Sequence, residues 1–155
     1  MSTSEPTADA VVLERTFAAP IDEVWQMWVD PAAFASWYGP SGAEVPVCEM
    51  DVRIGGHRRV CMRFETPGGP REMWFTGEFL EVTEPSRLVY TEAMTDADGN
   101  PVPGGHPATE VTVEFDEVSD GTRVELTHRG IPAGSPGEAG WRSAFEELAL
   151  RLASH

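Results

Sequence analysis

Three side chains in the second half of the chain are suited to acid–base chemistry. His128 continues an alternation that begins with Val124 and Leu126, and Glu92 shares a strand face with Tyr90. Alternate residues of a β-strand point to one face, so these side chains are predicted to face the interior. An imidazole and a carboxylate beside one cavity could transfer protons, which makes His128 and Glu92 the candidate catalytic pair. The alternative interpretation is a hydrogen-bonded core histidine with no nucleophile beside it.

The chain is also rich in large, adaptable apolar side chains. It contains five tryptophans and six methionines among 155 residues. Such a set either fills a core or lines a cavity for a small hydrophobic or aromatic ligand. The residues predicted to bind that ligand are Trp37, Tyr38, Met50, Met62, Phe64, Phe75, Tyr90, His128, Trp141 and Phe145.

Motifs for other kinds of site are missing from the sequence. It has no glycine-rich phosphate loop, no GxSxG elbow and no HExxH pair. Its two cysteines and four histidines are scattered without the spacing of a zinc site. We therefore expect no metal and no cofactor.

A long C-terminal helix is the element that must cover the cavity. Ser135 is predicted to be its hydroxyl N-cap, with Pro136 at the first helical position and Glu138 three residues after the cap. An apolar stripe follows at helical spacing: Trp141, Ala144, Phe145, Leu148 and Leu152.

The remaining chain predicts an α+β fold. Residues 11–17 alternate as a strand, and Pro20 and Pro31 then each begin a short helix. From Glu44 onward, short alternating segments joined by turns indicate antiparallel strands. We expect a curved antiparallel sheet of about seven strands wrapped around the C-terminal helix.

The first hairpin of these strands is predicted to turn at residues 55–57, with a glycine bulge. This register pairs Val52 with Val60 and Met50 with Met62, and it collects apolar side chains on one face. It also places Glu49 opposite Arg63.

The same register places Cys48 and Cys61 on opposite faces of the hairpin. Two such cysteines cannot reach each other, so we expect two free thiols.

Charge and hydropathy exclude several partners. Twenty-six acidic and 11 basic residues give a net charge of −15, which opposes binding to nucleic acid and to anionic membranes. No apolar run is long enough to insert into a bilayer, and residues 1–9 do not resemble a secretory signal. We expect a disordered tail over 1–9, a single domain over 10–155, and a cytoplasmic location.

The order and spacing of several short motifs resemble a known superfamily. The chain is similar to the START/Bet v 1-like helix-grip proteins (SRPBCC), in the branch that resembles the C-terminal domain of heat-shock-protein-90 ATPase activators. The motifs lie within residues 10–155 and are RTFAAP at 15–20, WYGP at 37–40, DVRIGG at 51–56, GEFLEV at 77–82, PSRLVY at 85–90, TRVELTH at 122–128 and GW at 140–141.

The resemblance implies a seven-stranded sheet that grips a long C-terminal helix, with a cavity between them. It implies binding of small hydrophobic molecules and, in some branches, cyclase or dehydratase activity or chaperone binding. For this chain we favour ligand binding without catalysis. One alternative is an enzyme of polyketide-cyclase type that uses His128 and Glu92. Another is an interaction module that binds a chaperone or forms a homodimer. The heat-shock-protein-90 activators carry a separate N-terminal domain that this sequence does not contain, so the chaperone is the less favoured partner.

Overall fold

The computed structural model of the chain describes residues 10–39, 42–100, 102, 108–131 and 133–153. The expected tail over 1–9 lies outside them. The helices are α1 (Ile21–Val29), α2 (Pro31–Ala35) and α3 (Pro136–Ala153). The strands are β1 (Ala10–Phe17), β2 (Glu44–Met50), β3 (His57–Thr66), β4 (Gly69–Thr83), β5 (Arg87–Thr95), β6 (Thr109–Val118) and β7 (Gly121–Arg129).

All seven strands form one antiparallel sheet in the order β1-β7-β6-β5-β4-β3-β2. Strands β2 to β7 are neighbours in chain order, whereas β1 pairs with β7 and forms the edge of the sheet opposite β2. The sheet is curved and open, and the long helix α3 buries its apolar stripe against the inner face. The predicted helix-grip fold is confirmed.

Helix α2 begins at its proline as predicted, whereas α1 begins at Ile21, one residue after Pro20, which is its N-cap residue. Asp30 caps α2 by accepting a hydrogen bond from the Ala33 backbone N–H at 3.0 Å, and Pro31 is the first helical residue. The chain then turns so that the Tyr38 N–H donates to the Phe34 carbonyl, which holds Tyr38 over the sheet.

One half of the interior is a solid aromatic core. Trp28 contacts Trp37, Phe115 and Phe145, with ring centroids 4.6, 5.5 and 6.0 Å away. Trp25 packs edge-on against Phe115 in the same cluster. The C-terminal half of α3 packs on this cluster, which anchors the helix to the sheet.

The predicted register of the β2–β3 hairpin is wrong. Met50 lies opposite Arg58, Cys48 opposite Val60, and Glu49 opposite Arg59 rather than Arg63. Residues 51–56 form a longer connection, which bonds to β4 through the Gly55 N–H and the Gly56 carbonyl. A side chain at Gly56 would lie 1.8 Å from the Asp51 carbonyl oxygen, so only glycine fits this connection.

The observed β2–β3 pairing differs from the predicted pairing by an even number of residues. Side chains of β2 and β3 therefore lie on the faces of the hairpin that were predicted for them. Cys48 and Cys61 lie on opposite faces and both are free thiols, as predicted. Burial raises the pKa of Cys48 to about 11 and also raises that of Cys61.

Candidate ligand-binding site

A cavity of about 620 Å³ lies between the sheet and the N-terminal half of α3. Its volume is within the range typical of small-molecule sites. Most of its wall is apolar: Met62, Phe64, Met73, Phe75, Met94, Ile131, Trp141 and Ala144. Its polar groups belong to Tyr38, Glu92, Thr109, His128 and Ser135.

The part of α3 over the cavity has few side chains. Gly137, Gly140 and Ala144 line it, so the cover is largely helix backbone. Glycine in a helix costs about 1 kcal/mol relative to alanine, so two glycines here weaken the helix locally. The space that their missing side chains leave contributes to the cavity.

Six of the ten residues predicted to bind a ligand line this cavity. They reach it from five segments, namely the turn after α2, β3, β4, β7 and α3: Tyr38, Met62, Phe64, Phe75, His128 and Trp141. The candidate catalytic residue Glu92 also lines it, from β5.

The other four predicted residues lie elsewhere. Trp37 is fully buried behind Tyr38 and donates its indole N–H to the Met27 carbonyl. Phe145 packs in the aromatic core, and Met50 is partly buried at the end of β2. Tyr90 lies beneath Arg58, with the guanidinium carbon 4.1 Å from its ring centroid.

A buried ion pair forms the polar end of the site. Arg58 Nη1 donates to Glu92 Oε2 at 3.1 Å, and the Tyr38 hydroxyl donates to the same oxygen at 3.2 Å. Side-chain exposure is 1% for Arg58 and 6% for Glu92. Arg58 lies over the rings of Tyr90 and Phe34, which stabilise its charge by cation–π contacts.

The electrostatics of the cluster favour a charged Arg58 and a neutral Tyr38. Burial acts to lower the pKa of Arg58, but Tyr90, Glu92 and Tyr38 together raise it. Burial, with Glu92 beside the hydroxyl, raises the pKa of Tyr38 well above its usual value. Arg58 is therefore a cation and Tyr38 a neutral donor at neutral pH.

His128 lies in a hydrogen-bonded chain that joins four elements, α3, β7, β6 and β5. The Trp141 indole N–H donates to Nδ1 at 2.9 Å, and Nε2 lies 2.7 Å from Thr109 Oγ1. The Thr109 hydroxyl donates to the backbone carbonyl of Glu92 at 2.9 Å. Because an indole can only donate, Nδ1 is unprotonated and Nε2 donates to Thr109.

Both ring nitrogens of His128 are thus occupied. Burial is the main cause that lowers the pKa of His128; Glu92 acts against it and Arg58 adds to it. The imidazole is neutral at neutral pH and directs no free nitrogen at the cavity. His128 and Glu92 share Thr109 as an intermediary, since the threonine bonds the ring of one and the backbone of the other.

The sequence and the fold agree with a family of known proteins. Residues 18–153 match the family model described as "Activator of Hsp90 ATPase homolog 1-like protein". The chain belongs to this family. That membership confirms the resemblance found in the sequence.

Solved structures resemble this member of the Hsp90 ATPase activator homolog family over nearly their whole length. A protein from Chromobacterium violaceum is 28% identical with a TM-score of 0.77, covering 93% of this chain and 96% of its own. The AHSA1 protein from Silicibacter pomeroyi is 25% identical with a TM-score of 0.73, covering 94% and 99%. A Rhodobacter sphaeroides protein, at 22% identity and TM-score 0.80 over 98% and 97%, shows the shared fold.

A curated relative is much longer than this chain. An uncharacterized protein of Schizosaccharomyces pombe is 28% identical over 122 residues, which is 77% of this chain. The match spans 29% of that protein's length.

Sequence reasoning missed two features of the site in this family member. Arg58 shares its strand face with Val60 and Met62, so the alternation could have indicated its inward position, but an arginine is more often exposed. The predicted hydroxyl cap of α3 is wrong, because Ser135 Oγ is buried without a hydrogen-bond partner in the described part of the chain. Glu138 instead accepts from the Gly134 backbone N–H at 2.8 Å.

Among the residues that the structure describes, no group of three or more His, Cys, Asp or Glu side chains could hold a metal ion. Nor does any described helix combine the length and the hydropathy of a membrane span.

Proposed function

We propose that this family member binds a small, mostly apolar ligand in the cavity between the sheet and α3. The observation that carries the proposal is the 620 Å³ space itself, walled by methionine and aromatic side chains beside a solid core. Apolar cavities with a few convergent polar groups are the usual form of small-molecule sites. Methionine walls can adapt to the shape of the ligand.

Binding without catalysis fits the polar groups better than acid–base chemistry. A general base needs a free lone pair within hydrogen-bond reach of the substrate. The Nδ1 lone pair of His128 is taken by Trp141, and the Glu92 oxygen Oε2 is taken by Arg58 and Tyr38. An enzyme of cyclase type with His128 as the base would have to break the contact with Trp141 in every turnover, so Glu92 has no free imidazole as its acid–base partner.

Interaction with a chaperone is the second candidate, and the description of the family is the observation that favours it. Binding of a chaperone would use the outer surface of the domain, so it is compatible with a ligand in the cavity. Stimulation of a chaperone ATPase by the purified chain would support it.

Native mass spectrometry tests ligand binding even while the identity of the ligand is unknown. The chain is purified from its own host under mild conditions, and its mass is compared before and after denaturation. We expect a small apolar molecule that leaves on denaturation and rebinds to the refolded chain. A chain that neither carries nor rebinds any apolar molecule from a host extract would refute the proposal.

A further inference from the structure

We propose that the cavity selects a neutral alcohol or phenol over an acid or an amine. The ligand would have an apolar body, and its hydroxyl group would donate a hydrogen bond to the Glu92 carboxylate. This inference rests on the proposed ligand binding and specifies the chemistry of the ligand.

Glu92 offers an acceptor to the cavity. Arg58 and Tyr38 both approach Oε2, and within the described part of the chain Oε1 accepts no hydrogen bond, so it can accept one from a ligand. An ionised carboxylate can only accept hydrogen bonds, so the group that meets it must be a donor. A hydrogen bond to a charged group is stronger than one between neutral groups.

All but one of the side-chain donors that line the cavity in the described part of the chain are already engaged. Tyr38 donates to Glu92, Trp141 donates to His128, and His128 donates to Thr109. Among the described lining residues this leaves the Ser135 hydroxyl, which has no partner there. A ligand carboxylate needs several donors when it is buried, and one hydroxyl does not supply them.

The charge of the site is already balanced. Arg58 neutralises Glu92, and both side chains are almost completely buried. An ammonium group would add a positive charge beside Arg58, and an anion would add a negative charge beside Glu92. Either one would be buried without a counter-ion, which is costly. A hydroxyl adds a donor without adding a charge.

Four pyrene probes with the same apolar body test this selectivity: pyrenebutanol, pyrenebutanoate, pyrenebutylamine and pyrenebutyl methyl ether. Binding is followed by quenching of tryptophan emission, since Trp141 lines the cavity. We expect the alcohol to bind at least about tenfold more tightly than the acid or the amine. It should bind about fivefold more tightly than the ether, which keeps the oxygen but lacks the donor.

The variant Glu92→Gln tests which group sets the preference. It leaves Arg58 without a counter-ion, so a ligand carboxylate in the cavity would offset the unpaired charge. We expect the preference for the alcohol over the acid to fall at least about tenfold. Glu23→Gln is the control, because it removes the same charge from an exposed position on α1 that does not line the cavity.

The wild-type ranking decides the inference even if Glu92→Gln does not fold. An acid, amine or ether that binds wild type as tightly as the alcohol would overturn the selectivity while leaving ligand binding intact. An unchanged preference in folded Glu92→Gln would also overturn it. Failure of all four probes to bind would overturn both this inference and the proposed function.

Discussion

The indole N–H of Trp141 donates to Nδ1 of His128 at 2.9 Å, which ties the cavity half of α3 to strand β7. The bond fixes the histidine as the tautomer that carries its proton on Nε2. It also fixes the Trp141 ring, which lines the cavity and lies edge-on to Tyr38 and Phe145. One hydrogen bond therefore joins this half of the helix to the sheet and fixes the tautomer of His128.

The first prediction concerns pH. Because the folded protein lowers the pKa of His128, its neutral form stabilises the fold at pH values above the usual histidine pKa. That contribution declines as pH falls below about 6.5 and through the folded pKa, since the unfolded chain takes up the proton first. Urea unfolding should show this loss between pH 7.5 and 5.

The variant His128→Gln isolates the effect, because an amide can accept from Trp141 and donate to Thr109 without titrating. Its free energy of unfolding should depend less on pH over the same range than that of wild type. Equal pH dependence in the two proteins would contradict the role assigned to His128.

A second prediction concerns the indole N–H of Trp141, which donates to His128. Trp141→Phe keeps an aromatic ring but removes the N–H, so Nδ1 becomes free to accept a proton. The pKa of His128, measured by NMR titration of its imidazole, should rise. Trp25→Phe is the matched control, since Trp25 is equally buried but packs on Phe115 in the aromatic core. A pKa that moves in both variants, or in neither, would argue against a specific effect of the bond.

The β2–β3 hairpin shows what the sequence could and could not predict. Alternation along β3 assigned Val60 and Met62 to the inner face correctly, because that pattern is local. The register was missed because the connection over 51–56 is held by hydrogen bonds to Phe79 on β4, more than 20 residues away. A tight turn at Gly55 was the best local solution, and a distant strand overrode it.

Arg58 shows a second limit of prediction from the sequence, namely the burial of a charged side chain. The same alternation could have placed it inward, but it was not among the predicted site residues because charge alone argues for an exposed side chain. Its burial is explained only by Glu92, Tyr38, Tyr90 and Phe34, which come from three other parts of the chain. The cavity itself could be expected from the family resemblance, whereas the ion pair at its end required the assembled sheet.

A third prediction follows from this ion pair. Arg58→Met or Glu92→Gln alone leaves the other member buried without its partner, so each should lower the free energy of unfolding by about 3–5 kcal/mol. The double variant should lose much less than the sum, because no unpaired charge remains. Urea unfolding of the four proteins measures the coupling. Additive losses would show that the pair does not act as a unit.

The fourth prediction compares two glycines in α3. An added side-chain carbon at Gly140 has no atom within 4 Å, whereas at Gly137 it would lie 2.9 Å from Ile131 Cδ1. Gly140→Ala should therefore stabilise the protein by about 1 kcal/mol through helix propensity alone. Gly137→Ala should gain less or destabilise, because Ile131 must move. A larger gain at Gly137 in thermal unfolding would contradict the packing described for this end of the helix.

The central claim, that the space beneath α3 is a binding cavity, is tested most directly by filling it. Ala144 is buried and lines the cavity, whereas Ala153 is exposed near the C-terminal end of the same helix. Titration of an apolar fluorophore into wild type, Ala144→Phe and Ala153→Phe is the decisive measurement, with circular dichroism to confirm that each protein is folded. We predict saturable binding to wild type and Ala153→Phe, and a loss of at least about tenfold in affinity for Ala144→Phe. A wild-type protein that binds no fluorophore, or an Ala144→Phe protein that binds it as tightly as wild type, would contradict the account.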